Sequence, residues 1–232
     1  MKFFLIKRCI VFMFLCIISS SVFSSVMPSE TELELGGKKD NHHPIRIYNQ
    51  SDEVAYVKVG NVVRVEQPGT PNQKEVLVNN TKHLELMVTP NLLIIQPNSD
   101  ADVVLVDMVS DRDTERAYYV KVEQVQPPAK KGVTLSVNYR VLVHAEPKVM
   151  NPQLVTKQKQ GNILLKNQGN VRYSLRDVKW CKKGETQNCI ALKDRDSFRI
   201  YPHTEKLFPK RLGYDLHFIE IYPGYHEHIV SG

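Results

Sequence analysis

The chain has 232 residues, of which 42% are hydrophobic, and its formal net charge at pH 7 is +6. This length fits one large domain or two ordinary ones. A basic protein can bind nucleic acid, lipid headgroups or an acidic protein. Here the Lys and Arg residues are scattered along the sequence, which is typical of a solvated surface and argues against a nucleic-acid partner.

Residues 1–25 have the pattern of a secretory signal peptide. Basic residues open this segment, the unbroken apolar run Cys9–Ile18 follows, and small residues complete it. The run is shorter than the roughly 20 apolar residues of a membrane-spanning helix. Leu15 stands before Cys16 where a lipoprotein site needs a small residue. We therefore expect cleavage at the end of this segment and export to the periplasm.

The mature chain keeps two cysteines, Cys181 and Cys189. An even pair in an oxidising compartment predicts a disulfide that closes a short loop. The spacing is wrong for a redox Cys-x-x-Cys motif. A zinc site would need two further ligands, and no His or Cys pair lies nearby at metal spacing.

The segment from Val26 to the first proline-rich break contains short apolar strands separated by turn residues. A short edge strand is expected around Leu33 and Leu35, where leucines alternate with acids. No stretch shows a sustained helical period, so the pattern is typical of an antiparallel sandwich of the immunoglobulin-like type. The longer predicted strands are Pro44–Tyr48, Val54–Val65, Glu75–Val78, Leu84–Thr89, Leu92–Ile95, Ala101–Val109 and Ala117–Val125.

The next strand, Gly132–Pro147, changes character along its length. Val133, Leu135 and Val137 alternate with polar residues, and period-two alternation puts them on one face of a strand. The run Val141–Val143 is continuously apolar, as in a strand that is buried on both faces. The first half either faces a sandwich core or is an apolar edge, without charge or proline, that is offered to a partner by β-augmentation.

The stretch Pro147–Pro152 breaks the chain, and we place a domain boundary there. The first domain is predicted at 26–148 and a second, smaller β-sandwich at 149–232. The two cysteines flank a polar hairpin tip within the second domain. Its predicted strands are Asn162–Asn167, Val171–Trp180, Ile190–Leu192, Ser197–Tyr201, Glu205–Phe208 and Asp215–Tyr222.

The sequence contains no catalytic signature. Hydrolase, metalloprotease and phosphate-binding motifs do not occur. His226 and His228 could share a metal ion but need a third ligand, so a solvated tail is the simpler interpretation. The charges between Asp111 and Arg116 alternate in sign, which is typical of a salt-bridged loop rather than a calcium site. We expect no enzyme activity, cofactor or resident metal.

Several segments together resemble the periplasmic chaperones of the chaperone–usher pilus pathway. Two lie in the first domain, a Thr-Pro followed by an apolar stretch and a proline turn, and an Arg-x-Tyr-Tyr strand before the alternating strand. A third, Gly161–Tyr173 with the cysteines after it, resembles the alternate branch that serves coli surface antigen and common pilus fimbriae. The first-domain segments are Val88–Asn98, Glu115–Val120 and Gly132–Pro147.

This resemblance implies an all-β boomerang of two immunoglobulin-like domains. The last strand of the first domain would complete a pilus subunit that lacks a strand, and the subunit would be delivered to an outer-membrane usher. By position, Val133, Leu135 and Val137 match the residues that fill the subunit's pockets. The short loop before this strand, Gln126–Lys131, is typical of the short-loop class of these chaperones.

One position departs from the better-known members, where a lysine and a first-strand arginine hold the subunit's C-terminal carboxylate. The lysine position falls on Leu142. Arg140 shares the strand face of Leu142, and Arg46 is the arginine nearest the start of the mature chain. These two residues are our replacement candidates, since a guanidinium can bind a carboxylate through two hydrogen bonds.

Two other functions fit less well. A secreted two-domain adhesin or pilus subunit should carry an alternating N-terminal extension, and Val26–His43 is too polar for one. An exported hydrolase has no active site. A free chaperone could also cap its own apolar edge in a homodimer.

Overall fold

The computed structural model describes residues 26–78, 84–125, 137–192 and 197–232. Every regular element in this part of the chain is a β-strand. The described residues contain no helix with the length and apolar character needed to cross a membrane.

The first ten strands form two sheets that face each other. Sheet A has the antiparallel order β1-β3-β8-β6, and sheet B has the order β2-β10-β9-β4-β5 with β7 also on β4. The pairing of β2 with β10 is parallel. The strands are β1 (Val26–Pro28), β2 (Glu32–Gly36), β3 (His42–Asn49), β4 (Ala55–Glu66), β5 (Lys74–Leu77), β6 (Leu86–Thr89), β7 (Leu92–Ile95), β8 (Ser99–Asp107), β9 (Arg116–Val125) and β10 (Tyr139–Glu146).

The alternation in these strands produces the first hydrophobic core. Ile45 and Ile47 of β3 are buried, and Arg46 between them is exposed. Val57 and Val59 of β4 meet them from sheet B within the same core. Each such side chain contributes roughly 1.5–3 kcal/mol when it leaves water, so the two inner faces hold the sandwich together.

The remaining strands build a second sandwich from sheet C, β11-β12-β16, and sheet D, β14-β13-β17-β18, with β15 also on β13. Its core includes Trp180, Phe208 and Phe218. The prediction of an all-β chain with two sandwiches is confirmed. The strands are β11 (Leu154–Lys159), β12 (Asn162–Asn167), β13 (Tyr173–Lys182), β14 (Cys189–Ala191), β15 (Ser197–Ile200), β16 (Glu205–Pro209), β17 (Tyr214–Tyr222) and β18 (His226–Val230).

The predicted disulfide is present. Cys181 of β13 lies directly opposite Cys189 of β14, and their sulfurs are joined at 1.98 Å. Closing a loop this short stabilises a fold by about 2–3 kcal/mol in the chain-entropy model. This stabilisation matters for a small sandwich with a thin core.

The interpretation of the C-terminus as a solvated tail was wrong. His226 and His228 lie on β18, which pairs with β17. His228 Nε2 lies 2.9 Å from Glu220 Oε2, and its ring stacks on Phe218. Two further strands, β1 and β11, were also missed, because one is very short and the other is a polar, mostly exposed edge strand.

Two predictions concern the ends of the domains. Residues 1–25, the predicted signal peptide, lie outside the described residues. The predicted boundary between 148 and 149 falls in the stretch that separates β10 from β11.

Candidate functional site

Strand β10 is covered unequally along its two sides. On one side β9 pairs with it from Tyr139 to Ala145. On the other side β2 pairs with it only from Leu142 to Glu146, beginning where the Leu142 N–H donates to Thr31 O at 2.9 Å. Among the described strands, Tyr139–Val141 therefore has a neighbour on one side only. We call this stretch the open edge.

The alternation of the open edge continues beyond the core. Val137 has the same strand parity as Tyr139 and Val141, whose side chains point into the sandwich. Val141 is fully buried, whereas Val137 is 41% exposed. The strand thus passes out of the core while it keeps its apolar alternation. Val133 and Leu135 belong to the segment 126–136, which lies outside the described residues.

The opposite face of β10 looks towards the second domain. Leu142 packs against a small apolar cluster of Val65, Ala117 and Tyr201. Beside this cluster a cleft of about 920 Å³ lies between the domains, with Glu32 and Glu34 on the wall formed by the first domain. The second domain contributes its Arg172, Arg176, Arg199, Lys206 and Tyr222 to the lining of the cleft.

A buried group of charged residues joins the two sandwiches at the base of this cleft. We call it the junction cluster; it comprises Glu32, Glu34, Glu115, His144, Glu146, Arg172 and Arg199. His144 is fully buried, with Nδ1 at 3.0 Å from Glu115 Oε1 and Nε2 at 3.0 Å from Glu32 Oε1. All three of these residues belong to the first domain.

The second domain contributes the arginines of the junction cluster. Arg172 Nη1 donates to Glu115 Oε1 at 3.1 Å, and the Arg172 backbone N–H donates to Glu115 Oε2 at 2.7 Å. Arg172 also pairs with Glu34, and Arg199 pairs with Glu32. The guanidinium of Arg172 lies 4.0 Å from the centre of the Tyr222 ring. A charge buried this deeply is tolerated only when it is paired and hydrogen-bonded.

The pKa values of the cluster follow from these contacts. The hydrogen bond from His144, together with Arg199, lowers the pKa of Glu32 although burial opposes it. Burial also opposes ionisation of Glu34, but Lys39 and Arg172 outweigh it and lower the pKa of that carboxyl. Burial raises the pKa of Glu146, which shares a hydrogen bond with the Tyr222 hydroxyl.

The structure does not bring the two candidate anchor arginines together. Arg46 lies on the outer face of sheet A, where Nε donates to Asp102 Oδ1 at 2.9 Å and lies 3.3 Å from Asp100. Arg140 lies on the outer face of sheet B, 2.6 Å from Glu75 and over the Tyr119 ring at 4.0 Å. Outer faces of two stacked sheets point in opposite directions, so these residues cannot bind one carboxylate jointly.

Sequence reasoning missed the junction cluster. Glu115 was assigned to a salt-bridged loop, yet its side chain is fully buried against His144 and Arg172. The available signal was a histidine among the apolar residues of β10, at a position where a buried polar group needs partners. Among the described residues, no group of three or more His, Cys, Asp or Glu side chains is arranged to hold a metal ion.

Comparison with known proteins identifies the relatives of this chain. No family model matches it. It is 31% identical over 169 residues to the B subunit of the CS1 fimbriae of Escherichia coli, across 68% of this chain and 70% of that protein. It is 30% identical over 183 residues to the A subunit of the CFA/I fimbriae of Escherichia coli, across 74% of each chain.

Solved structures show the same fold. The class 5 fimbriae chaperone CfaA superposes with a TM-score of 0.68 at 23% identity, over 89% of this chain and 99% of CfaA. The periplasmic chaperone SfaE superposes with a TM-score of 0.57 at 13% identity, over 89% of this chain and all of SfaE. A complex of the Salmonella enterica SafA pilin with the SafB chaperone gives a TM-score of 0.55 at 14% identity, over 91% and 99%.

Two sandwiches joined across a cleft, with one strand left open at the edge, define a chaperone of pilus assembly rather than an enzyme. The chain belongs to the family of fimbrial chaperones of the chaperone–usher pathway. Within that family it lies on the branch of the CFA/I and CS1 proteins.

Proposed function

We propose that this chain acts in the periplasm, where it donates β10 to complete the fold of a fimbrial subunit, which it then delivers to an outer-membrane usher. The open edge carries the proposal. Tyr139–Val141 presents unpaired backbone groups on one side, and the strand leaves the core at Val137 with its apolar alternation intact. An edge of this kind binds an extended strand through main-chain hydrogen bonds and gains specificity from pockets for alternate side chains.

Three side chains supply the apolar part of this interaction. Val133, Leu135 and Val137 would each contribute roughly 1.5–3 kcal/mol on burial in the groove of a subunit, before the cost of ordering the partners is subtracted. The exposure of Val137 supports this role, because a side chain already in the core has no surface left to bury.

Arg140 is the better placed of the two candidate carboxylate anchors. It lies on the open edge, is half-exposed, and is held by Glu75 in an exposed ion pair that costs little to exchange. Arg46 is held by Asp100 and Asp102 on the far side of the domain, so we leave it out of the site.

The structural relatives support the choice of partner. SafB is bound to a pilin in its structure, and CsuC of Acinetobacter baumannii is bound to CsuE, a tip adhesion protein. The alternative, a secreted adhesin or pilus subunit, draws support from the names of the two relatives from Escherichia coli. Such a protein polymerises or aggregates when it is expressed alone, whereas a chaperone stays soluble.

Co-purification from periplasm tests the proposal. The tagged chain is expressed with the fimbrial-subunit gene that is encoded beside its own, as wild type, Leu135→Glu and Leu92→Glu. Leu92 is a matched control because it is an exposed leucine on β7, away from β10. We expect a one-to-one complex with the wild type and Leu92→Glu, and none with Leu135→Glu.

The circular dichroism spectrum and melting temperature of each variant complete this test. A folded Leu135→Glu protein that still binds the subunit would contradict strand donation. An unfolded Leu135→Glu protein would place Leu135 in the core and contradict the assignment of this residue to the binding edge.

A further inference from the structure

His144 is held in a geometry that requires two N–H donors. Its ring is fully buried, and each ring nitrogen lies 3.0 Å from a carboxylate oxygen, one of Glu115 and one of Glu32. An ionised carboxylate can only accept hydrogen bonds, and a neutral imidazole has a single N–H. Both contacts are therefore satisfied only by the imidazolium.

The groups around His144 favour this charged form. Strand β2 contributes Glu32 and Glu34, the residue before β9 is Glu115, and β10 itself contributes Glu146. The second domain contributes Arg172, Arg199, and the rings of Tyr201 and Tyr222, with Tyr201 stacked on the histidine at 5.9 Å and Tyr222 hydrogen-bonded to Glu146. Lys39 approaches Glu34 from the solvent side.

Without the imidazolium, the fully buried Glu115 would share its one remaining cation with two other acids. Arg172 contacts Glu34, Glu115 and Glu146, while Arg199 contacts only Glu32. A buried carboxylate that loses one of its cationic partners is strongly destabilised. The charge of His144 thus completes the pairing of Glu115.

The same two carboxylates connect the domains. Glu115 binds His144 with Oε1 and receives the side chain and backbone of Arg172, and Glu32 binds both His144 and Arg199. His144 is the first-domain donor common to both links. A neutral ring would turn a lone pair towards one carboxylate at 3.0 Å, and that link would lose a hydrogen bond and gain repulsion.

We propose that His144 carries a structural proton at neutral pH and that this proton is part of the contact between the two sandwiches. The junction is firm while the ring is charged and loosens when alkaline pH removes the proton. This inference concerns the domain junction and holds or fails independently of whether the chain binds a fimbrial subunit.

Nitrogen NMR of the mature protein tests the charge directly. With ¹⁵N-labelled histidine, long-range correlation spectra distinguish imidazolium from either neutral tautomer. We expect the His144 ring to give the imidazolium pattern at pH 7.5, where solvated histidines are mostly neutral. Its signals are assigned by their loss in His144→Gln and by ring contacts to Tyr201. A neutral tautomer at pH 7.5 would overturn the proposal.

Thermal unfolding tests the link to stability. A group that is charged in the folded state and neutral in the unfolded chain stabilises the fold until the pH removes its proton. Between pH 7 and 9.5 the wild-type melting temperature should therefore fall by roughly 3–8 °C more than that of His144→Gln. His217→Gln, a half-buried histidine on β17, is the matched control and should follow the wild type. Parallel curves for wild type and His144→Gln would show that the proton does not stabilise the junction.

Discussion

The two halves of β10 differ although they form one continuous strand. From Leu142 to Glu146 the strand is paired on both sides, and His144 and Glu146 are tied to the second domain. From Tyr139 to Val141 it is paired on one side, and at Val137 the side chain emerges from the core. A strand anchored at one end can present the other end in a fixed register, because a slip by one residue would turn every side chain to the opposite face.

The largest effect is expected from breaking the anchored half. In Glu115→Ala, Arg172 loses a carboxylate partner and His144 loses one of its two acceptors. Removing one member of a buried ion pair costs about 3–5 kcal/mol, and urea unfolding should show a loss of this size.

Asp102→Ala is the matched control for this prediction. It removes a carboxylate from an exposed pair with Arg46, and such pairs contribute about 0–1 kcal/mol. Equal losses in the two variants would mean that the junction cluster does not anchor the strand.

The two halves of β10 also differ in how far they could be predicted from sequence. The strand positions, the parity of Val137 and the disulfide follow from local patterns and were recovered. The junction cluster was not, because Glu32, Glu115, His144 and Arg172 are far apart in the chain and only the tertiary fold brings them together. The strand β11 was missed for the opposite reason, because a polar edge strand has no apolar alternation to detect.

The open half should lose binding without losing stability. Val137→Glu places a charge on a side chain that is already 41% exposed, so its melting temperature should change little. In the complex the same charge would enter an apolar groove, and the affinity for the subunit should fall by at least tenfold. Ile94→Glu, at an exposed position on β7, should bind as the wild type does. A stability loss in Val137→Glu with unchanged affinity would assign this residue to the anchored half.

Acid should weaken the cover that β2 provides for the anchored half. The pKa values of Glu32 and Glu34 are lowered in the folded protein, so their stabilisation is present above the unfolded value of about 4.5 and is lost as the pH falls through the folded values. We expect the melting temperature to fall below pH 4.5, and to fall less steeply in Glu32→Gln. Hydrogen exchange at Leu142–Glu146 should accelerate over the same range. Exchange that rises first in β13 would place the weak point elsewhere.

The smallest effect is expected at Arg140, which stands on the open half but is held by Glu75 and Tyr119. Both contacts are at the surface, so Arg140→Ala should cost no more than about 1–2 kcal/mol of stability. If Arg140 instead holds a partner's carboxylate, the affinity for the fimbrial subunit should fall by more than the stability does. A peptide with the C-terminal sequence of that subunit, compared with its amidated form, isolates this charge, and Arg46→Ala serves as the control on the far face. An equal response to the two peptides in wild type and Arg140→Ala would leave Arg140 as a brace across sheet B, and the open half would then bind through its backbone and apolar side chains alone.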